Sequence, residues 1–539
     1  MKKIILMILI FSCTKIIKEF NFKNKDINED LVLAVMNNDS DKAIELVKNG
    51  ASVNYVHNNK SVLEWSLDKE NLNIVKVLLE KEVELNKDNI IKIYDLSLED
   101  FNYHVIDLIR DKFKLEEGLI DNNKYFLLLC YVSNVDKVKE FIEDNGINPA
   151  DMRDKLNENA LIISAASNNI DVFKMLVEEY NLDVNHKNNL GVTPLISASN
   201  LGNKDLIKFL LSKDANINDK NNKGLSALIL ASEKDYKEIV ELLLEKGANV
   251  NDKDDNNWTA LIFAVTNKNL EVVKLLLEKG ANVNYKEDNG WTALMRAAQD
   301  GYKEIVELLL EKGANINEKE DDGWTALIFG ANNNHLEVVE LLLERGADIN
   351  EKENDGRTAL IFVAKIGYVE LVRLLLEKGA NINEKENDGW TALMRASQND
   401  HKDIVKLLLE KGANINNKEN NGRTVLMFTV LNGHEDIVKF LIERGANIYE
   451  KDNYNKTTII HISDWLKSSK EKYKKDKYIG IAYKIIRKMS EDYVHLFISL
   501  NKDVKTNQEI KDEVHNYISL LYSLQNLPVE LFEGIVEKF

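Results

Sequence analysis

Between residues 191 and 454, apolar and polar positions alternate in blocks that recur every 33 residues. In one copy Leu294, Ala297 and Ala298 line one side of a short helix, and the two alanines allow close approach to a neighbour. Gly301 falls where that helix must stop and the chain reverse. Gly202, Asp235, Asn334, Gly367, Asp400 and Gly433 hold the equivalent place, all tolerant of a left-handed backbone, and Lys268 is the exception. A second stripe, Ile305, Val306, Leu308, Leu309 and Leu310, predicts a second helix ended by Gly313. Asn315 to Asp322 is polar and turn-rich, which predicts a protruding hairpin. One such helix pair cannot bury its own apolar side, so neighbouring copies must stack.

The register is set by two recurring motifs. Gly191-Val192-Thr193-Pro194-Leu195 returns as Gly290-Trp291-Thr292-Ala293-Leu294, Gly323-Trp324-Thr325-Ala326-Leu327 and Gly389-Trp390-Thr391-Ala392-Leu393, among others. Thr292 suits the N-cap of the first helix. Gly247, Gly280, Gly313, Gly346, Gly379, Gly412 and Gly445, each followed by Ala, keep the same period. G-x-T-A-L, two short helices and then G-A-N-[IV]-N resembles the ankyrin repeat. The resemblance implies an all-α fold, an ankyrin-repeat solenoid of helix-turn-helix units joined by β-hairpin-like loops, with divergent terminal caps. The usual family pattern is T-P-L-H; here only Thr193-Pro194 keeps the proline, and Met295 or Ile328 replaces the histidine. That histidine belongs to a hydrogen-bond network between repeats, so its loss bears on the network and not on the fold.

Eight regular repeats are expected over 191–454, divergent ones over 28–190, and a further divergent repeat with a helical cap over 455–539. Asp30 to Tyr55, Ser61 to Asn86 and Asn159 to Asn185 keep the pattern, residues 89 to 157 suit two strongly diverged copies, and a Lys-rich loop runs from Lys467 to Lys477. The total comes to about thirteen or fourteen units.

Composition narrows the function. At 539 residues the chain exceeds one compact core. A net charge of −18 without a basic block argues against nucleic acid and favours basic or neutral partners. Cys13 and Cys130 have no C-x-x-C neighbour. No phosphate loop, dinucleotide fingerprint or hydrolase motif occurs, so a non-enzymatic role without metal or cofactor is expected. His335, His401 and His434 share one repeat position, too far apart for a common zinc, and read as turn and packing residues. The acidic side chains lie mainly in the hairpins and read as solvated.

The expected partner is another protein, bound by a monomer. In ankyrin proteins the residue after the register glycine typically lies near the hairpin base, turned to the concave, partner-facing side. Here that position holds Trp258, Trp291, Trp324, Arg357, Trp390 and Arg423, after Val192 and Leu225. Trp and Arg dominate interface hot spots. A second row, Phe263, Arg296, Phe329, Phe362, Arg395 and Phe428, lies on the first helices. Both rows are candidate partner contacts, although a tryptophan here can equally pack on the next hairpin.

Lys2 and Lys3 precede an apolar run, Ile4 to Phe11, and Ile10-Phe11-Ser12-Cys13 resembles a bacterial lipobox. This implies a signal segment over 1–13, lipidation of Cys13, and a place at the bacterial cell envelope; if Ile4 to Ile17 is instead the apolar face of a degenerate first helix, a cytoplasmic protein is expected. The membrane would be touched only through that lipid, and one acyl group alone holds weakly. At the other end, Leu527-Pro528-Val529-Glu530-Leu531 with Ile535 and Phe539 resembles the first helix of an F-box, which implies the alternative of a ubiquitin-ligase adaptor.

Overall fold

The computed structural model describes residues 27–81, 83–86, 88–90, 92–93, 96, 122–462, 480–482, 484–485 and 487–488. The lipobox segment, the Lys467–Lys477 loop and the F-box-like end lie outside these residues. The chain divides into two compact units, Met1–Asn249 and Val250–Phe539. Within each, the described residues are mostly short antiparallel helix pairs that stack.

In the second unit the pairs are Ala260–Thr266 with Leu270–Glu278, Ala293–Gln299 with Lys303–Glu311, and Ala326–Asn332 with Leu336–Glu344. Ala359–Ile366 with Val369–Glu377, Ala392–Gln398 with Lys402–Glu410, and Val425–Leu431 with Glu435–Glu443 follow. The first unit holds pairs such as Ile27–Met36 with Ser40–Lys48 and Ala160–Ala166 with Ile170–Glu178. It also holds Asn122–Val132 with Val135–Asn145, a pair within the strongly diverged stretch. Cys130 is fully buried there, and the burial raises its thiol well above the usual range.

Local sequence explains each boundary. Thr292 Oγ1 accepts the Met295 N–H at 3.3 Å, capping a helix whose Ala293, Leu294, Met295, Ala297 and Ala298 are all buried. The turn residue between the helices is left-handed throughout, with φ of +75° at Gly301 and +62° at Asn334. Lys268 does not escape the rule: it too adopts φ +60°. In the second helix Ile305, Val306 and Leu309 are buried and Leu308 and Leu310 half-buried. The hairpins are minimal, most showing at best a single antiparallel bridge such as Lys385↔Thr391, while Val56–His57 and Lys60–Ser61 form a two-stranded pair.

Met295 and Ile328, where the family histidine would stand, are buried core residues. Asparagine, lysine and histidine side chains at other positions supply hydrogen bonds between repeats. Asn284, Asn317 and Asn350 each accept, through Oδ1, the backbone N–H 31 residues on, at 2.7–2.8 Å. In the first unit Asn185 and Asn218 do the same for Asn216 and Asn249. Lys319, Lys352 and Lys385 donate to the carbonyls of Lys352, Lys385 and Lys418, 33 residues on, at 2.7–2.9 Å. His335, His401 and His434 donate through Nε2 to the carbonyls of Gln299, Lys365 and Gln398 in the preceding repeat. They are turn and packing residues, with His335 closed over Gly301.

Candidate binding surface

All twelve candidate contact residues lie in the second unit, and eleven of them interleave in two stacked segments, Arg423 having no ring contact among the described residues. The residue after each register glycine sits at the hairpin exit, immediately before the capping Thr; its partner stands on the first helix five residues later. The tryptophans do not project singly into solvent. Trp291 packs on Phe329 of the next repeat with ring centroids 4.2 Å apart, Trp324 on Phe362 at 4.6 Å, and Trp390 on Phe428 at 4.0 Å. Trp258 meets Phe263 at 5.1 Å, and Trp324 meets Phe329 at 5.0 Å. Where Arg replaces Phe on the helix, its guanidinium takes the same slot. Arg296 lies between Trp258 and Trp291, 5.0 and 4.1 Å from their centroids, and Arg395 lies 4.3 Å from Trp390. Arg357 lies 5.0 Å from the Phe362 ring. From Phe263 to Arg357 the stack is unbroken; Arg395, Trp390 and Phe428 form a second segment. The four tryptophans are half-buried, each keeping part of its surface open.

Beneath the row runs a line of buried acids: Glu287, Glu320, Glu353, Glu386, Glu419 and Asp452. These hairpin carboxylates are not solvated, contrary to the sequence expectation. Each stands three residues before the register glycine (Asn455 in the last copy), and most accept the N–H of the residue four places on, as Glu320 Oε1 does from Trp324 at 2.9 Å. Arg296 pairs with Glu287 through Nε and Nη2 at 2.9 and 2.8 Å, and Arg395 with Glu386 at 2.5 and 2.8 Å. Arg357 pairs with Glu353 at 2.9 Å, and also with Asp355. Glu353 holds its proton less tightly than usual: burial raises its pKa, but the Arg357 guanidinium and the N–H groups of Asp355 and Arg357 outweigh that. The same pair raises the pKa of Arg357. His461 bonds Asp452 at 2.8 Å. Arg423 differs: its N–H reaches Glu419, but among the described residues its guanidinium forms no ion pair and its Nε is buried without a partner.

The stretch of sequence that carries the helix pairs, the left-handed turns and the 33-residue seams is matched by family models. One for ankyrin repeats in three copies matches residues 126–221, 200–287, 282–353 and 346–419, more than half of the chain. The chain belongs to the ankyrin-repeat family. A second model, for many copies of ankyrin repeats, matches residues 408–462. No curated protein matches the chain. Ankyrin repeats are protein-interaction modules, so the ankyrin array gives this chain a protein-binding character. Among the described residues no set of His, Cys, Asp and Glu is arranged to hold a metal ion, and no helix is long and apolar enough to cross a membrane.

Proposed function

We propose that this ankyrin chain is a non-enzymatic scaffold that grips a protein partner along the Trp/Arg/Phe row of its second unit, on the concave side in the manner of its family. The reading is carried by four of the chain's six tryptophans recurring in one register, pre-ordered by stacking yet only half-buried. Rings held in place lose little conformational freedom on binding, which is what hot-spot residues need. Stacking in itself is packing, so the test must separate the two roles. Trp291, Trp324 and Trp390 should be changed together to Ala in the full chain, and captured proteins identified by mass spectrometry, purified and titrated. Retained helicity and a cooperative melt with partner binding lost is the expected result. A broad collapse of the melt would make the tryptophans core residues and remove the reading.

In the same reading the N-terminal segment exports the chain, Cys13 carries the lipid, and the row faces proteins at the cell envelope. Ile10-Phe11-Ser12-Cys13 supports it. Equal membrane partitioning of the natural chain and Cys13→Ser would remove the anchor. The adaptor reading rests on Leu527-Pro528 and the apolar positions after it. It requires co-purification with a ligase adaptor that is lost when residues 525 to 539 are deleted.

A further inference from the structure

The line of buried acids has one member with no cationic side chain at either neighbouring place in its own repeat. Glu287 and Glu386 each receive a guanidinium from the first helix nine residues on, and Glu353 receives one from the register position four residues on. Asp452 has His461. At Glu419 the register residue is Arg423, whose N–H bonds the carboxylate as that of Arg357 bonds Glu353, while its guanidinium forms no ion pair among the described residues and Asn421 donates to Oε2. At Glu320 both places are apolar: Trp324 stands at the register position and Phe329 on the helix. Glu320 is only 8% exposed, yet its carboxylate accepts just the Trp324 N–H, through Oε1, and Oε2 has no partner among the described residues. Its hairpin is also the most acidic of the regular set, reading Lys319-Glu320-Asp321-Asp322 where the others carry at most two acids.

We infer that Glu320 is the seat for an arginine side chain of the bound protein. This rests on the protein-binding reading of the row and names the chemistry at its centre. The occupant's form is given by the chain itself. In the repeat before, Arg296 offers Nε and Nη2 to both oxygens of Glu287 while its plane lies on tryptophan. Phe329 already fills that slot beside Trp291 and Trp324, so the guanidinium must come from outside, along the open edge of Trp324, to Oε2. A buried carboxylate without a counter-charge gains more from an incoming cation than an exposed one does. A planar fork suits a carboxylate beside aromatic rings better than an ammonium does. The exposed Asp321 and Asp322 draw the cation in.

The test uses the full chain labelled with 5-fluorotryptophan, its fluorine resonances assigned by single Trp→Phe changes. The probe is N-acetyl-arginine methylamide, titrated at constant ionic strength against its citrulline and lysine analogues. Saturable shifts at Trp291 and Trp324 are expected for arginine, with the analogues at least about ten-fold weaker. Glu320→Gln keeps an acceptor for the Trp324 N–H and should abolish the response. Phe329→Arg rebuilds the Glu287–Arg296 arrangement at this site, so it should fold and block the probe from within. Equal responses to arginine and citrulline, equal responses to arginine and lysine, or an undiminished response in Glu320→Gln would overturn the assignment. None of these results would touch the tryptophan-dependent capture of a partner, which is scored separately by the triple Ala variant.

Discussion

Arg296 holds both oxygens of Glu287, at 2.9 and 2.8 Å, while its guanidinium lies between the rings of Trp258 and Trp291. The acid is nearly sealed from water and the arginine is about a fifth exposed. Removing the arginine alone leaves a buried charge without its partner. Arg296→Ala should therefore lower stability by about 2–3 kcal/mol in urea unfolding. Adding Glu287→Gln should recover a good part of that. A double variant no better than the single one would show that the loss lies in the stacking on tryptophan.

Gly301 and Gly313 share a left-handed backbone but not their surroundings. At Gly313 a β-carbon would meet nothing within 4 Å, whereas at Gly301 it would run into the imidazole of His335. Gly313→Ala should cost about 1–2 kcal/mol, the backbone penalty alone. Gly301→Ala should cost more, by about 1 kcal/mol or above, through the clash. Equal losses in thermal or urea unfolding would mean that the His335 ring moves aside freely.

Acid should weaken the second unit only late. Glu353 and Asp452 both lie below the usual carboxylate range. At Asp452 burial raises the pKa, but the N–H groups of Lys456 and Tyr454 together with His461 outweigh it; Glu353 is held down in the same sense. A carboxyl whose folded pKa is the lower one stabilises fully above its unfolded value, about 4. That contribution disappears as pH falls through the folded value. Urea midpoints should change little between about pH 7 and 5 and drop below about pH 4, with a shallower drop in Glu353→Gln. A decline beginning above about pH 5 would indicate a different set of groups.

The asparagine seam can be tested at one amide. Asn317 Oδ1 accepts the Asp348 N–H at 2.8 Å. Asn317→Ala should speed hydrogen exchange at Asp348 and cost about 1 kcal/mol. The Asn381 amide, held by Asn350, should keep its protection. Unchanged exchange at Asp348 would show that the bond contributes little to the seam.

The helix pairs were legible because their causes are local. Thr292, the stripe from Ile305 to Leu309 and Gly301 each act within one turn of themselves. Lys268 was not, because nothing in its own chemistry favours φ +60°; the stacked repeat imposes it, and its ammonium comes to lie 5.4 Å from the Tyr302 ring of the next repeat. The identities of the candidate surface residues could be read, but their interleaving could not, since Trp291 meets Phe329 thirty-eight residues on. The buried acids looked like an exposed turn because Lys, Glu and Asp stand side by side there. The usable signal was an acid at one fixed place, three before the register glycine or its equivalent, in every copy from Asp254 to Asp452.

Because Asn317 and Lys319 reach partners at constant separations of 31 and 33 residues, each unit presents its follower with the same plug and its predecessor with the same socket. Losing or gaining a whole unit would hand every asparagine an equivalent amide, while any other length would mismatch the joint. Units in the regular stretch are thus interchangeable, and unequal recombination within the gene could lengthen or shorten the reach of the array without a new interface being invented.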